Sequence, residues 1–170
     1  RTPPPPKMVN PVSRMRKLQG RLALVRNGFG AAILPPDVKK FTLLLAYRLN
    51  DGHRGPRKFW RVCMPRLKYH NPDIQMDVVR KEQIGGPSHL TVEFDGKPEV
   101  RIECKHKNEN DIVNELFKIT GAKQLPIDPQ DSELAADYLR DKEKRIEGKI
   151  NLKITRAARK EEARLLGSTF

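Results

Sequence analysis

Cysteine is scarce: Cys63 and Cys104 are the only two in 170 residues. A disulfide framework needs more, and the pair lacks metal-ligand spacing. A single bridge is not expected in a chain that otherwise reads as intracellular. Aromatic residues make up 6% and apolar residues 37%, little with which to offset chain entropy. A modest core carrying long polar extensions fits that balance. No apolar run approaches about 18 residues, so no membrane span is expected. The four histidines (His53, His70, His89 and His106) are scattered and form no metal constellation. The glycine-bearing stretches "GFG", "DGHRG" and "GG" lack the Walker and dinucleotide patterns. No serine–histidine–acid or paired-carboxylate arrangement suggests itself. Neither a cofactor nor a small-molecule substrate is expected.

Positive charge is abundant. Lysine and arginine number 34 against 21 acidic residues, a net charge of +13 and a pI near 10.0. An excess of this size favours a polyanionic partner, because each cation placed on a phosphate releases condensed counterions. The excess is uneven. Residues 1–36 hold seven cations and no acid, residues 37–107 hold 15 against nine, and residues 108–170 hold 12 against 12. The partner-facing charge is therefore expected in the first two thirds.

The chain starts "RTPPPPKMVNP", a stiff stretch with polyproline II character. Its first residue is arginine, so an upstream piece is expected, with Met8 as an alternative start. Arginine-rich, acid-free N-termini also suit organellar import. Ser13 can then cap a helix in which Met15, Leu18, Leu22 and Val25 recur at spacings of three and four. Arg14, Lys17 and Arg21 line another face, with Arg16 beside them. Asn27-Gly28 ends the helix. A membrane-surface role is the alternative for it, disfavoured by the lack of large aromatics.

Further on, "KKFTLLLAYRL" reads as a strand buried on both faces. "PRKFWRVCM" opens a helix with proline at its first position, and Pro65 is expected to stop it. "IQMDVV", "HLTVEF" and "EVRIECKH" alternate as strands, the last two as a hairpin around "DGKP". "NENDIVNELFKITG" is a capped helix with Ile112, Val113, Leu116, Phe117 and Ile119 as its buried stripe. The order predicts an α/β fold: a thioredoxin-like four-stranded mixed sheet packed with helices, plus an N-terminal basic helix and a C-terminal helical extension. The expected divisions are a basic extension over 1–36, the thioredoxin-like domain over 37–124, and a charged helical arm over 125–170. That arm follows the linker-like "LPIDPQDSE" and contains two helical stretches, "ELAADYLRDKEKRIEGK" and "RAARKEEARLL".

A thioredoxin-like arrangement makes the thiols a pointed question. Redox chemistry in that fold needs two cysteines, two residues apart, at the first helix's N-terminus. Here that stretch reads "GHRGPRKF". Cys63 shares helical spacing with Phe59 and Val62, and Cys104 lies on the apolar side of a strand. Both read as small core residues. The opposite side of the helix carries Arg54, Arg57, Lys58 and Arg61 at i, i+3, i+4 and i+7, which stacks them together. Arg66, Lys68 and His70 extend the track, and no acid interrupts it from Arg54 to Asn71. Arginine forks suit phosphate oxygens. Trp60, with Met64 four residues on, suits packing better than stacking on a base.

The stretch "GPRKFWRVCMPRLKYHNP" resembles the thioredoxin-fold family shared by mitochondrial ribosomal proteins and an accessory subunit of respiratory complex I. "LTVEF…EVRIECKHKNENDIVNELFKITG" is similar to the family's hairpin and closing helix, and "MVNPVSRMRKLQGRLALVRNGFGAAILP" to the leader of its fungal large-subunit members. The likeness covers roughly Lys39 to Lys123, with Met64 where leucine is common. It implies a non-catalytic constituent of the mitochondrial ribosome in the matrix, its partners ribosomal RNA and neighbouring mitoribosomal proteins. The RNA-binding set would be Arg54, Arg57, Lys58, Arg61, Arg66, Lys68 and His70, joined by Arg14, Arg16, Lys17 and Arg21. A small-subunit protein, a complex I module and a thiol enzyme are the alternatives.

Overall fold

The computed structural model describes residues 10–48, 51–82 and 85–167. The proline-rich stretch and Met8 lie outside the described residues. Two compact units are distinguished: Leu22–Ser132, and the described parts of residues 1–21 and 133–170.

In the first unit, strand β2 (Val38–Ala46) runs through the centre of a sheet of order β3-β2-β4-β5. It pairs in parallel with β3 (Gln75–Lys81), Leu43 opposite Val78. On its other side it pairs antiparallel with β4 (His89–Phe94), Leu43 opposite Leu90 and Phe41 opposite Val92. Strand β5 (Val100–Glu103) completes the hairpin, and a bulge between Val38 and Lys40 shifts the register at the end of β2. This is the expected thioredoxin-like sheet. Burial on both faces of β2 is also found: Phe41, Leu43 and Leu45 lie in the main core, while Leu44 and Ala46 are buried on the reverse side. The parallel pair follows from the helical crossover between β2 and β3, which a tight turn cannot replace.

The crossover departs from expectation. Pro65 does not stop the helix. A continuous helical rod runs through α2 (Arg54–Lys58), a π-turn (Phe59–Cys63) and α3 (Met64–His70). In a regular helix Pro65 would withhold one amide proton and press its ring on the carbonyl four residues back. The wider π-turn, closed by the Met64 N–H on the Phe59 carbonyl, relieves that crowding just before the proline. The extra residue also rotates the rest of the rod. Val62, expected in the core, turns outward at 37% exposure, while Cys63, Met64 and Leu67 face inward with Phe59. They meet Ile112, Val113 and Leu116 of α4 (Glu109–Thr120), the sheet residues Leu90, Val92 and Ile102, and Cys104, which lies just past the end of β5 rather than on a strand. Helix α4 starts where expected: the Asn108 N–H donates to Asp111 Oδ2 at 3.3 Å, and Gly121 closes it.

A second, two-stranded sheet pairs β1 (Ala32–Ile33) with β6 (Lys123–Gln124). Asn71, buried just after α3, stitches it down. Its Oδ1 accepts the Leu34 N–H at 2.8 Å, and its Nδ2 donates to the Ala32 and Leu67 carbonyls at 2.8 Å each. Buried His53 holds the loop before α2: Nδ1 accepts the Ala46 N–H at 3.3 Å and Nε2 donates to the Gly86 carbonyl at 3.0 Å.

The helices of the extensions also differ from expectation. Helix α1 (Pro11–Arg26) is capped by Asn10, not Ser13: Asn10 Oδ1 accepts the Val12 N–H at 3.0 Å, with Pro11 in the first helical position. Its expected inward stripe divides. Leu22 and Val25 are half-buried, whereas Met15 and Leu18 are exposed at 57% and 51%. The two expected C-terminal helical stretches are one helix, α5 (Pro129–Gly167), of 39 residues. Asp128 begins it by accepting the Gln130 N–H at 3.0 Å. Gly148 is the only glycine between its ends, and a single glycine costs about 1 kcal/mol against alanine, too little to break a helix this long.

Candidate nucleic-acid interface

The seven cations proposed along the central rod do two different jobs. Arg54, Arg57 and Arg61 stand on its outer side, Arg54 and Arg61 exposed and Arg57 half-buried. None of the three has a carboxylate within ion-pair distance among the described residues. Lys58 shares that side but is paired with Glu109 at the start of α4, and the ammonium holds the Glu109 carboxyl below its usual range. Arg54 and Lys58 line a hollow of about 410 Å³ with His106 and Lys107, which lead into α4, and with Glu109, whose carboxylate also feels the Arg54 charge.

Beyond Pro65 the cations of the expected track are taken up by backbone carbonyls, though Lys68 stays exposed. Arg66 is half-buried, its Nε donating to the Leu24 carbonyl at 3.0 Å and its Nη1 to the Phe29 carbonyl at 2.7 Å. The guanidinium thus closes the last turn of α1, where carbonyls lack helical partners and a cation is favoured. Burial lowers its pKa from the ordinary arginine value. Gly28, at φ 111°, makes room for it: a Cβ there would lie 2.8 Å from the guanidinium carbon. Lys68 Nζ donates to the Pro72 and Ile74 carbonyls at 2.8 Å each. His70 Nε2 lies 2.9 Å from the Arg26 carbonyl. These three side chains fasten the rod to its surroundings. Sequence spacing alone could not separate Arg66 and His70 from the outer set, because their acceptors are distant backbone carbonyls that the fold brings close, while Lys68 reaches carbonyls just past the end of α3.

In the other unit, Arg14, Arg16 and Lys17 line an open cleft of about 1400 Å³ along α1 and the first turns of α5, facing Arg140, Lys144 and Arg145. Asp137 and Asp141 are its acidic members. Arg21 is exposed outside that lining.

Trp60 is half-buried and packs against the core, as its Met64 spacing suggested. One feature was not visible in the sequence: Arg80 of β3 lies between two rings, 5.5 Å from the centre of Trp60 and 4.9 Å from that of Tyr47. Parallel pairing of β2 with β3 brings Tyr47 and Arg80 together, packing of the helical rod adds Trp60, and no local pattern announces either.

The thiols are unsuited to redox work. Both cysteines are free and buried. Burial pushes Cys63 up to about 11 and Cys104 up to about 12, so neither supplies a thiolate near neutrality. Among the described residues, no group of three or more histidine, cysteine or acidic side chains is placed to hold a metal, and no helix is long and apolar enough to cross a membrane.

The fold is of the α/β class, a four-stranded mixed sheet whose parallel crossover is a cationic helical rod. The mitochondrial ribosomal protein L51 / S25 / CI-B8 domain matches residues 56–109. The chain is similar to the large ribosomal subunit protein mL61 of Neurospora crassa, 32% identical over 154 residues, covering 74% of this chain and 76% of that protein. It is also similar to the large ribosomal subunit protein mL61 of Saccharomyces cerevisiae, 29% identical over 89 residues, covering 48% and 65% respectively. The chain belongs to this family of mitochondrial ribosomal proteins, and it is not an enzyme.

Proposed function

We propose that this chain is a structural constituent of the large subunit of the mitochondrial ribosome, in the matrix, and that it binds ribosomal RNA through the outer side of α2 and the π-turn. The observation that carries the RNA contact is the clustering of Arg54, Arg57 and Arg61, none of them with a carboxylate within ion-pair distance among the described residues. Like charges on neighbouring turns repel, and phosphate oxygens opposite them relieve that repulsion. Backbone contacts of this kind position a protein on RNA without reading bases. Exposed Val12, Met15 and Leu18 on α1 suit a neighbouring protein in the same assembly.

The test replaces Arg54, Arg57 and Arg61 together by glutamine. Loss of three charge-assisted contacts, each worth about 1.5 kcal/mol or more, lowers incorporation into the large subunit at least tenfold. Incorporation is read by gradient sedimentation, with thermal unfolding of the free protein as the check on the fold. Normal co-sedimentation of a folded triple variant at moderate salt would refute the RNA contact.

A further inference from the structure

The C-terminal half of the sequence is neutral in total, yet its charge is sorted by the helix. From Lys142, cations recur at Arg145, Lys149, Lys153, Arg156 and Lys160, separated by three, four, four, three and four positions, and Arg164 continues the series. Such offsets return to the same side of a helix at every turn. Because α5 is one unbroken helix, the row is continuous, about 33 Å long at about 1.5 Å per residue. Two separate helices would have divided it. The carboxylates Glu143, Glu147, Glu161 and Glu162 fall on other sides, and none occurs between Gly148 and Lys160.

We propose that this cationic row is a second RNA contact, lying along the phosphate chain of an RNA duplex; the assignment rests on the ribosomal reading above. No residue of α5 is buried. Among the described residues, Lys142, Lys149, Lys153, Arg156, Lys160 and Arg164 have no ion-pair partner. Successive like charges on adjacent turns destabilise a bare helix, so the row is costly until polyanion covers it. An A-form major groove is too narrow for side chains to read, so the row engages phosphates and 2′-hydroxyls rather than bases. An anionic bilayer fits worse. The apolar row that would enter it, Leu139, Ile146 and Ile150, contains Glu143 one turn from both Leu139 and Ile146. No tryptophan or phenylalanine is present among the described residues of α5 to anchor it in a headgroup layer.

The experiment titrates the full chain into poly(A)·poly(U) duplex over a series of KCl concentrations. Lys149, Lys153 and Arg156 are replaced together by glutamine, which preserves helix propensity. Each phosphate contact contributes roughly 0.7–0.9 to the slope of log affinity against log salt, so the variant's slope is expected to be shallower by about 2. The control replaces Lys39, Lys97 and Arg101 by glutamine, cations already held by Asp95, Asp37 and Glu99. Equal slopes for the two triple variants overturn the proposal. Should the α5 triple variant lose helicity, the single Lys153→Gln variant is expected to lower the slope by about 0.8, and an unchanged slope overturns the proposal equally. Vesicles containing phosphatidylglycerol provide a further arm: binding to them that the α5 variant abolishes, with its RNA slope intact, also overturns it. The ribosomal reading is judged separately, by incorporation of the Arg54/Arg57/Arg61 variant, so either can fail while the other stands.

Discussion

Arg61 and Arg66 stand five positions apart on one helical rod and do opposite work. Arg61 faces outward without a carboxylate partner, and Arg66 is spent on two backbone carbonyls at the end of α1 and the turn beyond it. Both were equally legible as candidate phosphate ligands, because side-chain type and spacing say nothing about which carbonyls will approach. The thiols were more legible, since a missing neighbour at the first helical turn already argued against exchange chemistry. Their burial has a consequence for stability. Each thiol's pKa rises from an ordinary 9.0, to about 11 for Cys63 and about 12 for Cys104. The folded chain therefore keeps protons that the unfolded chain releases. Their contribution is whole below pH 9 and is lost as pH rises towards 11 and beyond. At pH 10 the loss is expected to be about 1 kcal/mol per thiol relative to pH 8. Urea unfolding at both pH values checks this against a Cys63→Ala/Cys104→Ala variant. An identical pH dependence in the variant would show that the thiols carry none of it.

At the scale of elements, the hairpin β4–β5 and helix α4 were the most legible parts, because alternation and a cap–stripe–cap pattern are local signals. The short pair β1–β6 was illegible, since two residues per strand leave no periodicity to detect. The π-turn was hidden for another reason. Proline normally ends a helix, and only packing of Cys63, Met64 and Leu67 against α4 and the sheet stabilises a widened turn enough to continue past it. Docking of α2 depends on one close approach. A Cβ at Gly55 would lie 1.7 Å from the Lys107 carbonyl oxygen, a backbone atom that cannot swing aside. Gly55→Ala is expected to destabilise the fold by about 2–3 kcal/mol, read as a lowered denaturation midpoint. A midpoint within error of the parent would mean that α2 does not rest on that loop as closely as the structure has it.

At the scale of the whole molecule, the buried residues of the main apolar core lie between Ala32 and Leu116, and no residue of α5 is buried. A chain ending at Ser132 is therefore expected to unfold in one cooperative transition, within about 1 kcal/mol of the parent, because stability follows buried area. Loss of cooperativity in denaturant would show that the long helix supports the sheet after all. The net charge of +13 needs no fold to be read, and neither does the expectation of a polyanionic partner that it raises. Hydrophobic alternation likewise determined, from the sequence alone, a four-stranded mixed sheet packed with helices. These are properties of composition and of near neighbours along the chain. Which cations remain free of internal acceptors was decided mainly by tertiary structure, because Arg66 and His70 meet carbonyls 37 to 44 residues away in sequence, whereas Lys68 turns to carbonyls just four and six residues on. The cationic row of α5 likewise needed the helix to be continuous, since a side exists only when every turn keeps phase with the last.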